Sequence, residues 1–186
     1  RTSMPTSTPA AVRKQITAGK PDPLYLIVGD DEAEMSHLAA ELSGMVEDEL
    51  RAFNVERLYA TDKSSTPAAI VEAARQLPMM APRRVVVVLR AEKLLKPKRK
   101  GKAGDESEPE DSGSGSEPAT KLDALEAYFK NPEPQTVLVF LASDVDRTRR
   151  LYKALHKQAT IVECWGLKGS KDARVDLRQV ARQAEQ

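Results

Sequence analysis

The sequence predicts an α/β protein with a three-layer architecture: one parallel sheet and helices on both of its faces. Three observations predict it. Short apolar runs at Leu24–Val28, Arg84–Leu89 and Thr136–Leu141 have the length of buried strands. The segments between them carry apolar residues every three or four positions, which is the spacing of one helix face. Strands that alternate with helices give parallel crossovers, and these cover both faces of the sheet. The 186 residues suit one domain of ordinary size, or one domain and a fragment of a second.

Residues 1–22 hold Pro5, Pro9 and Pro21 among small polar residues and are expected to be a flexible lead-in. Leu24 to Val28, stopped by Gly29, is the first strand. From Asp30 to Leu50 a stripe of Met35, Leu38, Ala39, Leu42, Met45, Val46 and Leu50 predicts a helix. Asp30, Asp31 and Glu32 stand at its N-terminus, where the helix dipole favours negative charge. Phe53–Tyr59 is a second strand, more polar and so nearer an edge. Thr66 caps a helix with Pro67 in its first position. That helix is expected to run to about Leu77, with Ile70, Val71, Ala74 and Leu77 inward. The four valines of Arg84–Leu89 require burial on both faces, as in the middle of a parallel sheet.

Residues 96–120 pass from the basic run Lys96–Lys102 to an acidic, Ser/Gly-rich stretch. Such composition builds no core, so a disordered insertion is expected, its basic run a solvated loop. Leu122–Phe129 then reads as a short helix closed by Asn131-Pro132. Thr136–Leu141 is a buried strand, Arg147–Lys157 a basic helix with Leu151 and Leu155 inward, and Thr160–Cys164 the last strand. Residues 171–186 read as a polar helix. The expected organisation is a domain over 23–165 and the start of a second over 166–186.

Composition narrows the function. Lys and Arg total 29, Asp and Glu 28, for a net charge of +1. A dedicated nucleic-acid binder usually carries a basic excess. The single cysteine, Cys164, excludes an internal disulfide and a cysteine-built zinc site. His37 and His156 are far apart in sequence, so no histidine metal cluster is expected. No apolar run reaches about 18 residues, and Arg1–Pro5 is unlike a signal peptide. The expectation is a soluble, cytoplasmic chain without a metal or cofactor.

In a parallel sheet of this kind chemistry gathers at the C-terminal strand ends. The first such turn, Gly29-Asp30-Asp31-Glu32-Ala33-Glu34-Met35-Ser36, has the frame of a phosphate-binding loop, G-x-x-x-x-G-K-[ST]. Gly29 and Ser36 keep the outer places. Glu34 replaces the second glycine and Met35 replaces the lysine. Four carboxylates crowd a helix end that would otherwise attract phosphate. A Mg²⁺-binding strand should end in a carboxylate, yet Arg84–Leu89 is followed by Arg90. These losses argue against nucleotide hydrolysis and leave no catalytic residue to name. A plain acidic helix start accounts for the same residues. Asp30-Asp31 after a buried strand also resembles the start of a receiver domain of two-component signalling, with Mg²⁺ on the paired acids. Arg90 again stands where that family needs a phospho-acceptor.

Gln76-Leu77-Pro78-Met79-Met80-Ala81-Pro82-Arg83 is a proline-bracketed turn after a helix that Pro78 ends. Methionine makes adaptable apolar contacts, so the pair fits a partner-binding plug. On residue type alone, packing under the sheet is the commoner fate of such side chains. Trp165 reads as an anchor toward whatever follows the last strand, and Cys164 as a small core residue. Arg147, Arg149 and Arg150 suit either a phosphate contact or a solvated helix face.

The order of elements resembles the family of delta subunits of the bacterial DNA polymerase III clamp loader. The resemblance lies in Pro23–Asp31, Phe53–Arg57, Ala73–Val88, Leu151–Leu155 and Val162–Cys164. It spans residues 23 to about 165 apart from the charged insertion. It implies the AAA+ P-loop NTPase-like fold with a degenerate P-loop at Gly29, Glu34, Met35 and Ser36. It implies a subunit that binds and helps open the ring-shaped sliding clamp of DNA polymerase III, the beta subunit. Leu77, Met79 and Met80 take the positions of the clamp-binding element, where the family often has Leu-Phe in place of the two methionines. The ATPase subunits and delta prime would be partners through a C-terminal domain beyond this chain. DNA would be engaged indirectly.

Overall fold

The computed structural model describes residues 6–96 and 117–166, with the side chains of 117–121 excepted. The elements run α1 (Pro9–Thr17), β1 (Leu24–Gly29), α2 (Glu32–Ser43), a 3₁₀ turn (Asp48–Leu50), α3 (Arg51–Asn54), β2 (Val55–Tyr59) and α4 (Pro67–Arg75). They continue β3 (Arg84–Leu89), α5 (Glu92–Leu95), α6 (Glu117–Lys130), β4 (Thr136–Ala142), α7 (Arg150–Gln158) and β5 (Thr160–Cys164). The five strands form one sheet in the order β2-β3-β4-β1-β5, every pair parallel.

Alternation along each strand builds two cores, because neighbouring side chains point to opposite faces. On one face Leu24, Leu26, Val86, Val88, Leu138 and Phe140 pack with α4, α6 and α7. Phe129 of α6 meets Phe140 edge-on at 5.8 Å. On the other face Tyr25, Ile27, Val85, Val87, Val139 and Val162 pack under α1 and α2. Three layers with helices on both sides are thus present, as the alternation of strand and helix predicts.

The differences from expectation have local causes. The lead-in is not loose from residue 6 onward: α1 lies against the sheet, Thr8 Oγ1 caps it by accepting from the N–H of Ala11, and Val12 is fully buried. Ser7 donates to the Ile161 carbonyl at 2.7 Å and covers part of the β5 edge. The Asp30–Leu50 helix stops at Gly44 and resumes as the short 3₁₀ turn and α3. Phe53 and Asn54 belong to α3, so β2 starts at Val55. β3 is buried on both faces yet lies beside edge strand β2, and β4 holds the centre. α4 ends at Arg75, which leaves Leu77 outside the core. α6 starts at Glu117, inside the span expected to be disordered. α7 starts at Arg150, so Arg147 and Arg149 belong to the turn before it. Residues 97–116, most of the charged insertion, and 167–186, the expected start of a second domain, lie outside the described residues.

Candidate functional site

The two places singled out in the sequence lie at opposite ends of the sheet. Gly29–Ser36 follows the C-terminal end of β1. The Gln76–Arg83 turn enters the N-terminal end of β3.

At the C-terminal end an open cleft of about 300 Å³ is lined by Gly29, Met35, Ser36, Arg57, Tyr59 and Arg90, among others. Three of the four P-loop positions therefore reach it. The backbone here is bonded within the chain. The N–H of Asp31 donates to the Cys164 carbonyl at 3.1 Å and that of Glu32 to the Asp30 carbonyl at 3.1 Å. The N–H of Glu34 donates to Asp31 Oδ1 at 3.1 Å. In a phosphate-binding loop such amides stay free to surround the anion. Asp30 Oδ1 also accepts from the N–H of Gly166 at 2.7 Å, which ties the loop to the end of β5. Gly29 is required by contact: a Cβ there would stand 1.9 Å from the Cys164 carbonyl oxygen.

The side chains depart from a phosphate-binding loop as well. Met35 is buried in the α2 face of the core, where a lysine would have to reach outward. Glu34 turns away to pair with Arg13 of α1 at 2.7 Å, and its carboxylate raises the Arg13 guanidinium above its ordinary pKa. Arg90 adopts a left-handed backbone at φ 56° and stands 3.9 Å from Glu32. Cys164 is buried behind the loop, and burial with the Glu34 and Asp31 carboxylates pushes its thiol up to about 11. A protonated, enclosed thiol is a packing group rather than a nucleophile. No group of three or more metal-ligating side chains gathers among the described residues.

At the N-terminal end Leu77, Met79 and Met80 are 75%, 56% and 90% exposed. None of them packs under the sheet. Phe53, on the neighbouring corner, is exposed as well. The turn is nevertheless anchored. Arg84, itself buried, donates to the Ala73 carbonyl at 2.9 Å and to the Phe53 carbonyl at 2.9 Å, and it pairs with Glu56. Arg83 donates to the Gly19 carbonyl at 3.3 Å. Asn54 is fully buried, and its amide bonds both backbone groups of Met79. Sequence reasoning missed Asn54, Arg84 and Arg13. Their one signal is polarity at the border of an apolar run, and that pattern also fits a solvated loop.

The remaining candidates carry less. Arg147 pairs with Glu163 at 3.3 Å, Arg149 with Asp146 at 3.3 Å, and Arg150 with Asp123 at 2.6 Å and Glu126 at 2.7 Å. Carboxylates of this chain thus occupy all three guanidinium groups. His37 and His156 are exposed, and His156 lies beside the Tyr152 ring. Trp165 is partly exposed after β5. No described helix is long and apolar enough to cross a membrane.

The chain has relatives among known proteins. The chain is 28% identical over 171 residues to the DNA polymerase III subunit delta of Bacillus subtilis, a match that covers 89% of this chain and 44% of that protein. A solved structure of the Bacillus subtilis DNA clamp loader delta protein superposes with a TM-score of 0.68 at 24% identity, covering 94% of this chain and 48% of that one. A DNA polymerase III gamma subunit-related protein from Thermotoga maritima superposes at 0.55 with 14% identity, covering 93% of this chain and 50% of that one. The chain thus spans about half the length of these relatives. The family model for the DNA polymerase III delta subunit matches residues 25–165. With that match over three-quarters of its length, the chain belongs to the family of DNA polymerase III delta subunits.

Proposed function

We propose that this chain is the clamp-contacting part of a clamp-loader subunit, and that it performs no catalysis of its own. One observation carries the reading: Leu77, Met79 and Met80 project from a turn that buried Asn54 of α3 bonds at Met79, beside buried Arg84 of β3 and its bond to α4. Apolar side chains in water at a fixed place favour docking, because their burial in a partner pocket gains about 1.5–3 kcal/mol each. The rigid base lowers the ordering cost of that docking.

The partner is the ring-shaped sliding clamp. Met79 and Met80 enter a pocket on it, and α4 lies against it near a subunit boundary. Binding that is tighter to the open ring than to the closed one shifts the ring toward opening. The cleft at Gly29, Met35 and Ser36 is a degenerate P-loop, its amides bonded internally and its lysine position buried. ATP would therefore act through other subunits of the loader. These subunits and delta prime would assemble through a C-terminal domain outside this chain, and DNA would be engaged indirectly. The relative from Bacillus subtilis that bears the words "clamp loader" supports this assignment.

The test is the affinity of the chain for the clamp of its own organism, with and without Met79→Ala and Met80→Ala together. The double variant is expected to lose about 2 kcal/mol or more, roughly thirtyfold in Kd. Equal affinity of the two proteins would refute the site. Absence of binding by the wild type at high micromolar concentration would refute the function.

A further inference from the structure

Resting on the clamp-contact reading, we infer that Asn54 is the positioning residue of the docking turn: it holds Met79 and Met80 in the shape that presents them. Asn54 does not face the partner. It is fully buried at the end of α3, 25 residues before Met79 in the chain. Its Oδ1 accepts from the N–H of Met79 at 2.6 Å. Its Nδ2 donates to the Met79 carbonyl at 2.8 Å and to the Leu50 carbonyl at 2.9 Å. The two bonds to Met79 are reciprocal, as between paired residues of neighbouring strands. The third ties the amide back to its own corner.

The network admits one amide orientation. Reversal would set an NH₂ group against the N–H of Met79 and an oxygen against two carbonyls. An aspartate in this place would accept from Met79 but would repel both carbonyls. A leucine would fill the space and leave both backbone groups of Met79 unpaired. Among the hydrogen bonds within the described residues, these two are the ones that reach the Pro78–Ala81 backbone. Met80 follows directly at φ 55°, a left-handed conformation that a side chain seldom adopts unless the neighbouring backbone is held. The bonds to Ala73 and Phe53 from Arg84 fix the flanks of the turn. Asn54 fixes its apex. The turn is thereby prepared before a partner arrives, which spares the ordering cost at binding.

A double-mutant cycle on this chain tests the role. The clamp is titrated with wild type, Asn54→Ala, Asn54→Asp, the Met79→Ala, Met80→Ala variant, and the latter with Asn54→Ala added. Hydrogen exchange is followed at the Met79 amide and at the amides of β3. Asn54→Ala and Asn54→Asp are each expected to weaken binding about tenfold and to raise Met79 exchange by a similar factor, while β3 keeps its protection. With both methionines removed, Asn54→Ala is expected to change affinity less than about twofold, because the side chains it positions are gone. Equal losses in both backgrounds would mean a general loss of stability and would overturn the proposal. Unchanged Met79 protection, or wild-type affinity in Asn54→Ala, would overturn it while leaving the clamp contact standing. A wild type that does not bind would overturn the contact itself and with it this role, and the exchange data would then report solely whether Asn54 restrains the turn.

Discussion

Met79 and Met80 were ambiguous as residues, because a methionine can fill a core gap or meet a partner. Their exposure places them outside the core, and contact with a partner is the reading proposed for them. That exposure comes from neighbours rather than from the pair: Pro78 ends the helical pattern, Asn54 bonds the turn at Met79, and Arg84 holds the Ala73 and Phe53 carbonyls beside it. Gly29 carries a different lesson. As the outer glycine of a P-loop frame it would be read for phosphate, but here it serves a backbone contact with Cys164. Gly29→Ala is therefore expected to cost about 3 kcal/mol or more in stability, since a Cβ cannot share space with that carbonyl. Urea unfolding midpoints of the two proteins measure it. A shift worth less than about 0.5 kcal/mol would mean that the β1–β5 contact is looser than described.

Elements were legible where periodicity was dense. β1, β3, β4 and β5 stand within a residue of their expected bounds, because unbroken apolar runs of this length pair as buried strands. α4 began where Thr66-Pro67 announced it, with Thr66 Oγ1 accepting from the N–H of Ala69. The same Thr-Pro signal stands at Thr8-Pro9 and does cap α1. No apolar period accompanies it there, because α1 offers the core only Val12 and Ile16, too few positions for a period to show. Sparse burial can still be decisive. Val12 is fully enclosed between α1 and the sheet, so Val12→Ala is expected to cost about 2 kcal/mol, readable by thermal or urea unfolding. A neutral result would mean that α1 is dispensable to the domain. The break after α2 was likewise hidden, since Met45, Val46 and Leu50 continue the helical spacing and still pack toward the same core through a turn.

Across the whole molecule the sheet separates two surfaces by its length. The C-terminal strand ends hold the cleft at Gly29–Ser36, and the N-terminal ends hold the turn of Met79 and Met80. On the proposed reading the two ends are independent, so departures from a phosphate-binding loop at one end leave the contact turn at the other unaffected. Titration of millimolar Mg-ATP into the chain is expected to give no binding heat. Met35→Lys is expected to lower stability rather than to create binding, because it places an ammonium in the α2 core. Nucleotide binding by the wild type at micromolar affinity would reverse the degenerate P-loop reading.

By itself the sequence determined the layer architecture, the order of strand and helix, and the residue types that depart from a phosphate-binding loop at Glu34, Met35 and Arg90. These follow from local pattern and from chemical identity, which need no partner in space. Tertiary structure decided what local pattern cannot carry. It exposed Leu77, Met79 and Met80, set them at the far end of the sheet from the cleft, and paired Arg147 and Arg150 with carboxylates of other segments. It also brought Asn54 beneath Met79 across 25 residues of chain. A buried amide is intelligible only with its partners, and those partners are neighbours through folding alone.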